Sequence, residues 1–261
     1  MGARRAHPAD CRLITRELRI RPLTGFPELT EGDELGRLIA DTAAPATDDA
    51  VVISQKAVSK VEGRVRRLDE VEPGERALEL ASELDKDPAL VELVLAESAR
   101  VVRAERGVLI TETKGGWVCA NAGIDASNLD QGQVSLLPVD GDASARRVRG
   151  EIAAASGATP AVVIADSFGR AWRVGQADIA IGCAGIAPLA DWRGRRDRQG
   201  GELSATLIAI ADELASAADL TRDKDSGAPG AVVSGLGDLV TADDGPGAGP
   251  LRRPADEDLF R

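Results

Sequence analysis

Ala50-Val-Val-Ile-Ser54 and Ala161-Val-Val-Ile-Ala165 are the two stretches on which the fold class turns. Each is a short, continuous apolar run rich in β-branched residues, the signature of a buried strand. A polar loop carrying Lys56 and Lys60 is expected after the first run, and Asp166-Ser167 stands at the C-terminal end of the second. Working outward, a short strand is expected around Leu18–Leu23, stopping at Gly25. A helix follows over 33–43, with Leu35, Leu38 and Ile39 on one face and Thr30 as its cap, Asp33 lying three residues on. Further helices are expected over 75–84 and 88–99, the second opened by Pro88. Strands over 108–113 and 117–120 flank the turn Lys114-Gly115-Gly116. A strand over 134–139, a helix over 143–155, a strand over 179–182, a long helix over 203–220 and a strand over 231–233 complete the series. The long helix rests on Leu203, Leu207, Ile210, Leu214 and Ala218 at helical spacing. Strands and helices do not alternate strictly. The expected class is therefore α+β (mixed α/β), with irregular mixed sheets rather than a doubly wound one.

Composition removes several classes of function. The chain has 261 residues, 32 basic against 43 acidic, for a net charge of −11. That balance argues against a nucleic-acid binder working by bulk charge, and six aromatic residues, three Phe and three Trp, give too few platforms for stacked bases. The single histidine, His7, lies in a tail-like N-terminus, which argues against histidine triads and histidine zinc sites. Cys11, Cys119 and Cys183 form no CxxC pair, as expected for a reducing, cytoplasmic compartment. There is no signal peptide pattern and no apolar run of membrane-spanning length. Residues 1–12 and the Asp/Gly/Pro-rich residues 241–261 read as flexible tails around a domain at 13–240.

Four groups of residues offer chemistry. Asp125 and Asn128 lie in a Gly/Ala/Ser turn, where they either present oxygens to a hard cation or bond their own backbone. Asp166 and Ser167 either hold a metal or phosphate at a strand end or cap the next element. Lys56 and Lys60, four apart, either reach phosphates or decorate a solvated loop. Arg170, Arg173, Arg193, Arg195, Arg196 and Arg198, flanked by Trp172 and Trp192, form either an anion site or surface decoration. No GxxxxGK[ST] is present, and no GxGxxG joins a strand to a helix, so P-loop and Rossmann sites are not expected. These residues point to an enzyme that handles an anionic, phosphate-bearing substrate with a magnesium-type ion.

Several segments, taken in order, resemble the gamma-glutamyl ligases that finish the deazaflavin coenzyme F420. They include Gly25-Phe-Pro-Glu-Leu29, Ala57-Val-Ser-Lys-Val-Glu-Gly-Arg64, Asn121-Ala-Gly-Ile-Asp-Ala-Ser-Asn128 and Leu137-Pro-Val-Asp140. Val163-Ile-Ala-Asp-Ser-Phe-Gly-Arg-Ala-Trp-Arg173, Ala180-Ile-Gly182 and Ala211-Asp-Glu-Leu-Ala-Ser-Ala-Ala218 continue the match. The resemblance implies a GTP-dependent acid–amino-acid ligase that adds L-glutamate to the precursor F420-0 through an acyl phosphate, and further glutamates through gamma linkages. It implies GTP contacts from Phe26, Pro27, Glu28, Leu29, Gln55, Lys56, Lys60 and Asn128. It places Mg2+ or Mn2+ at Asp125, Asp166, Ser167 and the backbone carbonyl of Asp223, and admits a monovalent cation such as K+. Gln55 departs from the usual Ser or Thr, Ser167 replaces the commoner Thr, and the loop over 221–228 differs in length. The resemblance also implies an intertwined homodimer. Relatives with a following flavin domain exist; here the chain stops where that domain would begin, so no flavin site is expected. The rival readings are another metal-dependent phosphoryl-transfer enzyme or amide ligase acting on a different carboxylate, and an RNA-binding module built on the Arg193–Arg198 loop.

Overall fold

The computed structural model describes residues 16–258. The expected tail at 1–12, with His7 and Cys11, lies outside them. The centre is a five-stranded mixed sheet. Its strands are β1 (Arg19–Pro22), β2 (Ala50–Ser54), β8 (Ala161–Arg170), β9 (Arg173–Ala184) and β12 (Gly230–Ser234), in the order β1-β12-β2-β8-β9. Only β2 and β8 run parallel, pairing Ala50 with Ala161 through Ser54 with Ala165. The two decisive runs are thus adjacent central strands.

Their period-2 alternation divides the core. Val51, Ile53, Val162 and Ile164 face α1 (Leu35–Ala43) and α5 (Gly141–Ser156), meeting Leu35, Ile39, Val148 and Ile152. Ala50, Val52, Ala161, Val163 and Ala165 face α6 (Ile210–Asp219), meeting Ala211, Leu214, Ala215 and Ala218. The alanine-rich second face lets α6 lie close to the sheet. A smaller unit beside the sheet holds α3 (Glu75–Leu84) and α4 (Pro88–Glu97) against β4 (Ser98–Glu105), β5 (Val108–Thr113) and β6 (Val118–Ala120), with its own cluster of Leu80, Leu84, Val91, Val94 and Leu109. Two-stranded pairs join β3 (Val65–Arg67) to β7 (Gln133–Ser135), and β10 (Ala190–Asp191) to β11 (Leu207–Ile208). The α+β class and the mixed sheets are as expected, and no strands close into a barrel among the described residues.

The structure corrects several boundaries. The expected polar loop after β2 is helix α2 (Gln55–Val61), which springs directly from the strand. Ser54 caps it by accepting from Lys56 N, and Ala57, Val58 and Val61 bury its inner face. Asp166 does not end its strand, because β8 continues to Arg170 in a hairpin with β9. The long helix over 203–220 begins only at Ile210. Residues 203–206 are irregular and Leu207–Ile208 form β11 instead, since Trp192 N bonds Thr206 O and Gly194 N bonds Leu203 O, giving that backbone partners outside a helix. The second helix of the small unit stops at Glu97, and β4 takes over. Thr30 does not cap α1; its N–H and hydroxyl both donate to Asp33 Oδ2 in a turn before the helix.

The segment from Thr241, read as a tail, is anchored in the structure through residue 252. Arg149 of α5, buried beneath it, donates to the carbonyls of Thr241 and Ala242 and to Asp244 Oδ1. Asp142 Oδ1 accepts from Ala248 N at 2.8 Å, and Ala248 is fully buried. Composition recorded the Asp, Gly and Pro bias there, but neither Leu251 packing on the core nor the buried guanidinium that holds the carbonyls.

Candidate functional site

A cleft of about 290 Å³ opens at one end of the parallel pair β2–β8. Strand β2 delivers α2 to its wall. The 3.6-residue period of that helix sets Lys56 and Lys60 on one side, toward the cleft, while Ala57, Val58 and Val61 bury the other. Lys56 Nζ donates to Asp125 Oδ2 at 2.9 Å and to Ser127 Oγ at 2.5 Å. Lys60 Nζ is paired with Glu28, which arrives on the extended segment between β1 and α1. Phe26, Pro27 and Leu29 of that segment line the same wall. Gln55 borders the cleft but is only 1% exposed, and its side-chain amide lies 2.9 Å from Ser59 Oγ, inside the fold.

The opposite wall comes from the turn at 125–128. Asp125 Oδ1 accepts from Ser127 N at 2.7 Å, and Oδ2 from Ser127 Oγ at 2.9 Å. The turn-shaping role and the cleft-facing role of Asp125 are thus both real. Burial pushes its carboxyl upward, but the hydrogen bonds from Lys56 and Ser127 outweigh this and hold it below its ordinary value. Asn128, in the left-handed region at φ 55°, donates from Nδ2 to Lys224 O at 3.0 Å and so fastens the loop at 221–228 across the opening.

The floor is the middle of β8. Burial pushes the Asp166 carboxyl up to about 7; the Ser167 N–H and Lys56 oppose the shift, and the charges of Asp125 and Asp178 add to it. Ser167 pairs across the hairpin with Asp178 of β9. Its hydroxyl donates to Asp178 Oδ1 at 2.6 Å and accepts from Lys224 Nζ at 3.0 Å. Asp178 Oδ2 accepts from Arg222 Nη2 at 2.9 Å, and the two side chains are only 5% and 8% exposed. Asp223 also borders the cleft, but its carbonyl accepts from both Ser226 N and Ser226 Oγ, which close a turn within the loop.

All twelve residues expected from the sequence therefore border one cleft. The arginine set does not. Arg170 and Arg173 sit at the tip of the β8–β9 hairpin, with Trp172 79% exposed between them. Arg193 pairs with Asp191, Arg195 lies 4.9 Å from the Trp192 ring, and Arg196 donates to Gly200 O. Sequence reading missed Asp178, Arg222 and Lys224. The first had a signal: extending the strand at 179–182 backward by one residue takes in Asp178, which pairs opposite Ser167.

Two carboxylates with a hydroxyl beside one of them, all oxygen donors, suit a hard cation. Among the described residues no three His, Cys, Asp or Glu side chains converge tightly enough to hold a metal alone. An ion here would therefore take further oxygens from substrate phosphates and water, which is the usual way magnesium is bound. The lysine ammoniums at Asp125 and Ser167 already show that cations are accepted at both places.

The family model for F420-0:Gamma-glutamyl ligase matches residues 25–235. The chain belongs to this family. Among gamma-glutamyl ligase relatives, the protein named coenzyme F420:L-glutamate ligase from Methanopyrus kandleri is 42% identical over 246 residues, covering 94% of this chain and 98% of the relative. The protein of the same name from Methanothermobacter thermautotrophicus is 40% identical over 243 residues, covering 91% and 96%. That from Methanocaldococcus jannaschii is 42% identical over 214 residues, covering 82% and 84%. Every cleft residue described above falls within the span matched by the gamma-glutamyl ligase model. Among the described residues no helix is long and apolar enough to cross a membrane.

Proposed function

We propose that this chain is a GTP-dependent ligase that joins L-glutamate to F420-0 and extends the product through gamma linkages. Family membership supports the ligase class. The observation that carries the nucleotide reading is the meeting of Lys56 and Lys60 with Asp125 and Asp166 in one cleft. A free carboxylate is a poor electrophile, because its oxygen is a poor leaving group. Transfer of the γ-phosphoryl group of GTP to the acceptor carboxylate gives an acyl phosphate and GDP. The glutamate amine attacks the acyl carbon, the amide forms, inorganic phosphate departs and the amine loses a proton.

The lysines hold phosphate oxygens as point charges. Phe26 to Leu29 line the side available to the nucleoside, and Asn128 holds the loop that covers it. Asp125, Asp166 and Ser167 would hold Mg2+ or Mn2+; such an ion supplies charge neutralisation on the transferred phosphoryl group. The Asp223 carbonyl joins that set only if the Ser226 turn opens. Nucleotide binding breaks the Lys56–Asp125 and Lys60–Glu28 pairs, so the cleft exchanges internal ion pairs for external ones. A homodimer belongs to the same proposal, and light scattering on the purified chain tests it.

The deciding experiment incubates purified chain with GTP, L-glutamate, manganese and F420-0 and reads products by mass spectrometry. A ladder spaced by one glutamyl residue, with one GDP formed per step, is the expected result. Product formation that proceeds equally well without GTP would sink the acyl-phosphate reading. A folded, GTP-binding chain that makes no product would transfer the activity to a different carboxylate.

A further inference from the structure

A second cavity, of about 570 Å³, lies beside β6 and the N-terminus of α5. It is about twice the volume of the nucleotide cleft and within the range of small-molecule sites. We propose that it receives the acceptor, a flat heteroaromatic acid, with the ring system against Trp117 and anionic groups at Lys114 and Arg252. This assignment rests on the ligase reading above.

Three observations support it. The first is charge. The acids on the cavity wall already have partners: Glu97 accepts from Arg64 Nη2 at 2.6 Å, Asp140 caps α5 by accepting from Ala143 N, and Asp142 accepts from Cys183 N and Ala248 N. The cations at the mouth are less committed. No ion pair forms on Lys114 among the described residues. Arg252 lies 5.5 Å from the Trp117 ring and donates to the Gly115 carbonyl, with no ion pair to an acid among the described residues. Lys114 and Arg252 are thus the two cations of this wall that no carboxylate claims among the described residues, and they are available to an incoming anion.

The second is the ring. Trp117 lines the cavity at the end of the Lys114-Gly115-Gly116 turn and is fixed by packing against both faces of the main core. It is a rigid aromatic wall already faced by the Arg252 guanidinium, and a flat π-system stacks on it when that guanidinium turns to the ligand's anionic group.

The third is reach. Ala122 lines this cavity, whereas Asp125, three residues on, lines the nucleotide cleft. Three residues span at most ~11 Å. The connecting stretch is held stiffly, with Asn121, Ala122 and Gly123 all in the left-handed region at φ 50°, 53° and 72°. The two cavities are thus walled by one short stretch of chain, which places an acceptor in the second beside the cleft of the first.

The test uses the full chain and F420-0 itself. Lys114→Ala/Arg252→Ala removes two exposed side chains and leaves the core untouched. The expected result is an F420-0 Kd and KM raised at least about tenfold, with the GTP Kd changed less than about twofold. Trp117→Phe is expected to abolish most of the tryptophan quenching caused by F420-0, and Trp172→Phe to leave it in place. Unchanged F420-0 affinity in the double variant, or full quenching in Trp117→Phe, overturns the assignment while the ligase reading stands. A wild-type chain that neither binds F420-0 nor ligates glutamate overturns both.

Discussion

The cleft beside α2 and the arginine loop at 193–198 look alike as strings of letters, since each sets several cations within a few residues. In space they differ by the origin of their partners. Lys56 is held by Asp125 and Ser127, Lys60 by Glu28, and Arg222 by Asp178, each from a distant part of the chain. Arg193 is held by Asp191, Arg195 by Trp192 and Arg196 by Gly200, none more than four residues away. Local partners cost the fold nothing to bring together and remain in water, where screening leaves an ion pair worth little. Distant partners meet only because the sheet and helices carry them to one place. Long-range pairing of polar groups at a concavity therefore marks a built site, and cation density alone does not.

That contrast predicts its largest effect at Arg222. Its pair with Asp178 is almost fully buried, so Arg222→Ala leaves an uncompensated carboxylate inside the fold. The expected loss of stability is about 3–5 kcal/mol, read by urea unfolding. Removing both charges together, as Asp178→Asn/Arg222→Met, should recover much of it; a double variant no better than Arg222→Ala would refute the charge argument. The matching exposed variant, Arg193→Ala, should cost less than about 0.5 kcal/mol.

Next in size is Asp166→Asn, expected to lower ligation by about 100-fold or more with the fold retained, as charge-stabilising groups at phosphoryl-transfer sites typically do. It also carries a pH signature in the metal-free chain. The carboxyl sits near pH 7 in the fold, above its ordinary value of 3.8, so the folded state binds the proton more tightly than the unfolded chain. This group's contribution is therefore fully present below about pH 4 and is lost as pH rises toward 7. Asp166→Asn lacks that loss and should melt above wild type at pH 8 in chelator, but not at pH 4. Parallel melting curves for the two proteins across this range would remove Asp166 from the buried, acid-rich floor.

How much of this was legible in the letters follows the same division between local and distant. The runs at 50–54 and 161–165 declared themselves as strands because β-branched continuity is a local property. Their parallel pairing was not legible, since nothing within either run names its neighbour. The helix at 55–61 was hidden because its capping serine closes the preceding strand and its two lysines read as solvent-facing. Segment order drew attention to Asp125, Asp166 and Lys60, and the fold brings them to one cleft. Asp178 and Arg222 escaped notice because each is unremarkable alone and acquires meaning only from a cross-strand register and a loop return. The segment at 241–252 was misread for the converse reason: its anchor, Arg149, lies almost a hundred residues earlier.

The smallest effects test the contrast most directly, because they compare two cations of equal formal charge. Lys60→Ala should weaken GTP binding about tenfold, the value of one charge-assisted contact, and should barely change stability, since the pair it breaks ends on exposed Glu28. Arg196→Ala should change GTP binding less than about twofold, because its guanidinium is turned back on its own loop and remains in solvent, where salt screens it. Isothermal titration at two ionic strengths separates the cases. A contact inside the cleft keeps most of its effect as salt rises, whereas a general contribution from protein charge fades. If Arg196→Ala weakened GTP as much as Lys60→Ala, and both effects vanished at high salt, then cation density rather than the origin of the partners would govern nucleotide affinity.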